Sequence, residues 1–482
     1  MQSALPAGQS AKEAATASTR DGFTTRLGVI AATLGSAVGL GNIWKFPFMT
    51  GENGGAAFVV VYILATLFVG LPVMISEHVI GRRARTDAIG SLRKLAPRTP
   101  WWLVGAAGVA AAFLIMAFYT EVAGWVFAYI VKAIVSLFQG AAGELASTDP
   151  AATSQVFGNL AANPWLSLIL QWVVLAWVAA IILAGVSKGI ERMTKRLLPL
   201  LFVLLVIVGI RSLTLPGAGE GLRFLFQPDF SAITGAAVLA ALGLAFFKLS
   251  VGMGTMITYG SYFREDQNIP ATGARVMLAD LAVSMLAGIA IFPAVFAFGF
   301  APEAGPSLLF ITIPAVFSSM PLGAFFMVLF FILTAVAATG AMISLAEVPV
   351  AFLNERLGWS RRNATLVTVL LLAIVGSSAA LSQGVLAEFK LFGMTMFDLF
   401  DFSTSNILLP VGGFFILLFV GWRWAYPELK QALSNDGALQ NERTIRFFWT
   451  VTKFVSPVLV FVVLLDGLGL LSKILAHFGG GA

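Results

Sequence analysis

Apolar runs long enough to cross a bilayer recur along almost the whole chain, and a membrane-crossing segment must satisfy its backbone hydrogen bonds internally. At about 20 apolar residues per crossing the runs read as eleven spans, near 24–50, 55–81, 101–136, 164–184, 193–213, 233–262, 271–300, 322–353, 364–382, 392–420 and 446–474. The chain is therefore expected to be an all-α polytopic membrane protein. Of its 482 residues 58% are hydrophobic and 11% charged, with a mean hydropathy of +0.90, a balance that excludes a soluble domain.

The +6 net charge does not point to nucleic acid, because the bases sit in short loops, where they orient the spans. Arg82, Arg83, Arg85, Arg93, Lys94 and Arg98 follow span 2, and Lys188, Arg192, Lys195 and Arg196 follow span 4. Residues 137–163, after span 3, carry Glu144 and Asp149 and no base. The N-terminus is expected inside an inner or plasma membrane and the C-terminus outside. Residues 1–22 read as a cytosolic tail without a signal peptide's apolar region. With no cysteine and only His78 and His477, disulfides, thiolate chemistry and a histidine-built metal site are excluded. No nucleophile and base stand at catalytic spacing, and no phosphate loop appears, so an enzyme is not expected.

Two runs are interrupted. Residues 33–48, TLGSAVGLGNIWKFPF, hold Gly35, Gly39 and Gly41, then Asn42, Lys45 and Pro47. Gly35 and Gly39 also fit the small-xxx-small helix-packing pattern, but Asn42, Lys45 and Pro47 favour an unwound segment. Residues 240–262 hold Lys248, Gly252 and Gly254. Five crossings separate the two runs, so a five-span unit repeated once would place them in opposite orientations, with a transport site at the midplane.

The motifs RLGVIAATLGSAVGLGNIWKFPFMTGENGG, AFYTEVAGW, SKGIER, ITYGSYFREDQ, IFPAVFAFG, EVPVAFLNE and MFDLFD, in this order, resemble the neurotransmitter:sodium symporters, in particular their bacterial amino-acid transporters. The resemblance implies a five-plus-five inverted repeat with discontinuous spans 1 and 6, halves at 23–213 and 214–422, and a cytosolic loop plus span 11 at 423–482. It also implies alternating access and symport of an amino acid with Na+, without any other cofactor. Oligomeric state is left open, and lipid is the remaining partner.

By the same resemblance Leu40, Gly41 and Tyr119 would hold a substrate carboxylate, and carbonyls around Ala37, Phe247 and Ser250 its ammonium. Val38, Ile115, Phe247, Met253, Ala341 and Leu345 would form an apolar wall suited to a hydrophobic amino acid. Lys45 with Asp401 would form an outer gate and Arg20 with Glu355 an inner one, against interfacial snorkelling as the alternative. Glu77 would hydrogen-bond the unwound part of span 6, or instead pair with Arg82.

Both family sodium sites are altered. The first would use Ala37, Asn42 and Asp280, but its span 6 position is Lys248, and two cations repel in a dry pocket. Lys248 would replace that sodium beside Asp280, lose its proton, or point away to water. The second would use carbonyls of Gly35, Val38 and Ala337, while the two usual hydroxyl positions fall on Gly340 and Ala341. A one-residue bulge would turn Thr339 inward and return one hydroxyl. Ser284 stands where chloride-dependent members place a serine, yet Asp280 supplies the charge, so no chloride dependence is expected. Three functions follow: a sodium symporter, a sodium-independent or proton-linked carrier, and a sensor that binds without transporting.

Overall fold

The computed structural model describes residues 21–300, 308–471 and 473, and among them the extended structure is one isolated bridge between Leu391 and Met394. The crossing helices are α1 (Arg26–Ala37), α2 (Gly41–Glu52), α3 (Ala56–Ala84), α4 (Trp102–Gln139), α5 (Pro164–Leu183), α6 (Val186–Leu213) and α7 (Gly235–Lys248). They continue as α8 (Thr255–Ser261), α9 (Ile269–Ala297), α10 (Gly323–Arg356), α11 (Arg361–Ala380), α12 (Met396–Arg423) and α13 (Glu442–Gly467).

Nine of these helices are long and apolar enough to span, or ten when α1 and α2, bent by 53° at their break, count as one. The expected eleventh does not pass on length, because the sixth run is divided into the 14 residues of α7 and the 7 of α8. The shortfall has a physical origin in the break itself. Residues 137–163, expected as a loop, contain the helix Pro150–Ala162, whose N-terminus is capped by Asp149 accepting from the Ala151 amide at 2.9 Å. An acid followed by proline at the first helical position is a start signal.

Both breaks follow from local chemistry. Val38 ends α1 in an extended conformation, and the chain resumes in a wide π turn at Gly41–Lys45. Between α7 and α8, Ser250, Gly252 and Gly254 adopt φ of 52°, 81° and 73°. That left-handed region costs other residues a clash with their own Cβ. At Gly252 a Cβ would also stand 2.5 Å from the Leu409 carbonyl oxygen. Helix α10 lies along α4 and touches α1, α6 and α8, so both broken segments pack against a continuous helix. On the outside, Trp165, Ile169, Trp172 and Val173 of α5 are exposed, as lipid-facing side chains are.

Candidate functional site

The breaks free backbone groups that apolar surroundings cannot satisfy, and specific side chains meet them. The Leu40 amide donates to the Tyr119 hydroxyl at 2.8 Å, and the Gly39 amide to Asn42 Oδ1 at 3.2 Å. Across the site the Gly252 amide donates to Glu77 Oε1 at 2.6 Å. The Ser250 hydroxyl donates to the Ser36 carbonyl at 2.8 Å, tying one break to the other. Arg82 does not reach Glu77; it donates to the carbonyls of Gln267 and Ala432 and to Asn435.

Between the two breaks lies a cavity of about 20 Å³. Its walls include ten residues expected there, Ala37, Gly41, Ile115, Tyr119, Phe247, Lys248, Ser250, Met253, Ala341 and Leu345, together with Ser36 and Gly39. Val38 and Leu40 are buried but stand off the wall, Leu40 taking part through the amide it gives to Tyr119. Ligand pockets commonly measure about 300–1,000 Å³, so these walls must part to admit an amino acid.

At one side of the cavity Lys248 and Asp280 form an ion pair at 3.1 Å, with both side chains fully buried. Lys248 Nζ also donates to the Ser284 hydroxyl and lies 5.0 Å from the ring centroids of Phe46 and Tyr62. Asn42 Nδ2 donates to Asp280 Oδ1 at 2.7 Å and to Ser284 at 3.1 Å, and Tyr62 reaches Asp280 Oδ2 at 3.4 Å. Ser284 donates in turn to the Asp280 carbonyl at 2.8 Å. Lys248 therefore does not point to water. Its ammonium stands among the side chains expected to coordinate the first sodium, which does not fit a second cation there.

The second expected cation locus is also short of ligands. Helix α10 runs unbroken from Gly323 to Arg356, and Thr339 does not turn inward. Its hydroxyl donates to the Ala335 carbonyl at 2.8 Å and accepts from Trp177 Nε1 at 3.3 Å, so the bulge reading is corrected. The indole of α5 claims the hydroxyl that coordination would need. Gly340 instead packs on the backbone of α1, where a Cβ would stand 2.4 Å from the Gly35 carbonyl oxygen. Carbonyls of Gly35, Val38 and Ala337 remain, without a hydroxyl. Among the described residues no three His, Cys, Asp or Glu side chains gather as a metal site.

The outer gate is a second correction. Lys45 and Asp401 form no ion pair: Lys45 Nζ lies 4.2 Å from the Phe247 ring centroid, and Asp401 accepts from Ser405 at 2.8 Å. The ammonium finds an aromatic face, and the carboxylate a hydroxyl one turn along its own helix. Arg20, expected to pair with Glu355, lies outside the described residues.

Two clusters at the basic end were not singled out from sequence. Buried Glu347 accepts from Arg361 at 2.7 and 3.0 Å and from the Tyr262 hydroxyl at 2.7 Å, joining α10, α11 and the end of α8. An acid inside an apolar run was the available signal. Asp266 accepts from Arg26 at 2.8 Å and Arg264 at 3.0 Å, and Arg264 also donates to the Thr24 carbonyl at 3.2 Å. The hydrogen bonds from Arg26 and then Arg264 hold the Asp266 carboxyl below its ordinary range.

The family model of the sodium:neurotransmitter symporter family matches residues 20–154 and 152–474. The uncharacterized sodium-dependent transporter YhdH of Bacillus subtilis is 40% identical, over 93% of this chain and 98% of its own length. An uncharacterized sodium-dependent transporter of Haemophilus influenzae is 35% identical, over 93% and 98%. Among solved structures, that of MhsT in complex with L-phenylalanine superposes with a TM-score of 0.84 at 43% identity, covering 93% of this chain and 100% of the other.

Proposed function

The chain belongs to the sodium:neurotransmitter symporter family, a transporter family rather than an enzyme family, and on that premise we propose that it carries a small hydrophobic amino acid by alternating access. The observation that carries this reading is the narrow cavity between two helix breaks, where polar backbone meets an apolar wall. The Gly41 and Leu40 amides with Tyr119 receive the carboxylate, since the positive end of a half-helix favours an anion. Carbonyls near Ala37, Phe247 and Ser250 receive the ammonium. Ile115, Phe247, Met253, Ala341 and Leu345 receive an apolar side chain and reject a charged one. That the matched structure holds L-phenylalanine supports this class.

The two halves, residues 23–213 and 214–422, work as inverted repeats, and the basic loops lie in the cytoplasm of a bacterial plasma membrane. The Lys248 ammonium acts as the built-in cation of the first sodium site, neutralising Asp280. Relatives named as sodium-dependent favour sodium drive, which then falls to the second locus alone, with at most one ion per cycle. The pair at 3.1 Å favours a second reading, a sodium-independent carrier in which Lys248 is the sole cation. Counterflow of labelled phenylalanine in sodium-free proteoliposomes tests both: exchange at the rate seen with sodium supports the second, and collapse without sodium supports the first. Absence of exchange and binding for every hydrophobic amino acid tried would remove the substrate class.

A further inference from the structure

The start of α6 carries a charge arrangement that neither substrate nor coupling ion uses. Here a cavity of about 460 Å³ is lined by Thr24, Ser187, Lys188, Glu191, Arg192, Lys195 and Arg196. Its one acid is already engaged: Glu191, 2% exposed, accepts from the Thr24 amide at 2.7 Å, from the Thr24 and Thr25 hydroxyls at 2.9 Å, and from Lys195 at 2.5 Å. Lys188, Arg192 and Arg196 are exposed and form no ion pair among the described residues. They follow at intervals of four, so they stand in a row on one side of the helix.

That row continues into apolar surface. Leu200, Val203, Ile207 and Ile210 are 43, 55, 40 and 58% exposed, and at 100° per residue they fall within about the same 120° arc as the three cations. From Leu200 to Ile210 the helix rises about 15 Å, half of a hydrocarbon core about 30 Å thick. A strip of positive charge about 12 Å tall thus ends where one leaflet's depth of apolar surface begins.

We propose that this face is a binding site for an anionic phospholipid, its phosphate held by Lys188, Arg192 and Arg196 and an acyl chain lying along Leu200, Val203, Ile207 and Ile210. Charge complementarity selects the headgroup, and the leaflet-length stripe selects a lipid over a soluble phosphate. The site also touches the Thr24–Glu191 contact that ties the chain before α1 to α6, so bound lipid restrains the entry to the first broken span.

The test is native mass spectrometry of the full chain from nanodiscs of equal phosphatidylglycerol and phosphatidylcholine, comparing the parent with Lys188→Gln/Arg192→Gln/Arg196→Gln. The parent is expected to retain phosphatidylglycerol preferentially. With each cation contributing about fivefold, the triple variant should lose at least tenfold of that preference. Lys430→Gln/Arg446→Gln, which removes two cations that pair with Glu442, should keep it. Glycerol phosphate in the buffer should not displace the lipid. Equal retention of the two lipids by the parent, an unchanged preference in the triple variant, or displacement by glycerol phosphate would each overturn the proposal. Matching melting curves of parent and triple variant in phosphatidylcholine alone exclude misfolding as the cause of a loss.

Discussion

Beside the cavity, two buried charges depend on one another. Lys248 and Asp280 are both without solvent exposure, and removing one side of such a pair leaves an uncompensated charge, at a cost of about 3–5 kcal/mol. Lys248→Met is therefore expected to lower the melting midpoint in sodium-free detergent sharply, and Lys248→Met/Asp280→Leu to recover most of the loss. An equal loss in single and double variants would mean that the charges are not coupled. Glu77 offers a second comparison. Glu77→Gln keeps an acceptor for the Gly252 amide, whereas Glu77→Ala leaves that amide bare at about 1–3 kcal/mol. Substrate affinity measured by scintillation proximity should fall at least tenfold in the alanine variant and much less in the glutamine variant. Asn42 was legible as a polar residue inside an interrupted apolar run, and Glu77 and Asp280 through the resemblance that gave them their roles. The direction of Thr339 was not, since it depends on Trp177 in a helix more than 150 residues away.

At the scale of elements, glycine has two distinct uses. Gly252→Ala combines a φ of 81° with a carbonyl oxygen 2.5 Å from the new Cβ, so transport should be lost along with at least about 1 kcal/mol of stability. Gly243, inside α7, meets nothing within 4 Å, and Gly243→Ala should be neutral or stabilising by up to about 1 kcal/mol. Thermal melts of the pair check this directly, and similar curves for both would refute the backbone argument. Apolar run length located the helices well, with α11 beginning three residues before its expected start at 364. It could not count the sixth crossing as the structure divides it, because the break is set by three left-handed residues rather than by hydropathy. Nor did it register Pro150–Ala162, a loop helix whose mixed surface carries little apolar signal.

For the whole molecule, the narrow cavity and the ties at the basic end describe one of the conformations that the proposed alternating access requires. The ion pair of Asp266 with Arg26, and the hydrogen bond from Arg264 to the Thr24 carbonyl, fasten the segment after α8 to the start of α1. Because the Asp266 carboxyl is held below the ordinary value of 3.8, the tie stays intact at neutral pH and should loosen only as pH falls below that value. The chain has no cysteine, so spin labels at Leu27→Cys and Glu265→Cys can report it. The distance distribution should broaden in Asp266→Asn at pH 7 and in the parent below pH 3.8, but not in the parent at pH 5. Broadening of the parent at pH 5 would place the restraint elsewhere.

The ammonium of Lys248 stands, buried and paired with Asp280, among the side chains that the family resemblance assigns to the first sodium ion. Amino-acid uptake into proteoliposomes, titrated with sodium for the parent and for Lys248→Thr, tests its role there most directly. We predict that the parent depends on sodium weakly, with a Hill coefficient no greater than one, and that the threonine variant becomes steeply sodium-dependent as the ion takes the vacated charge beside Asp280. Superimposable sodium curves for the two proteins would contradict it.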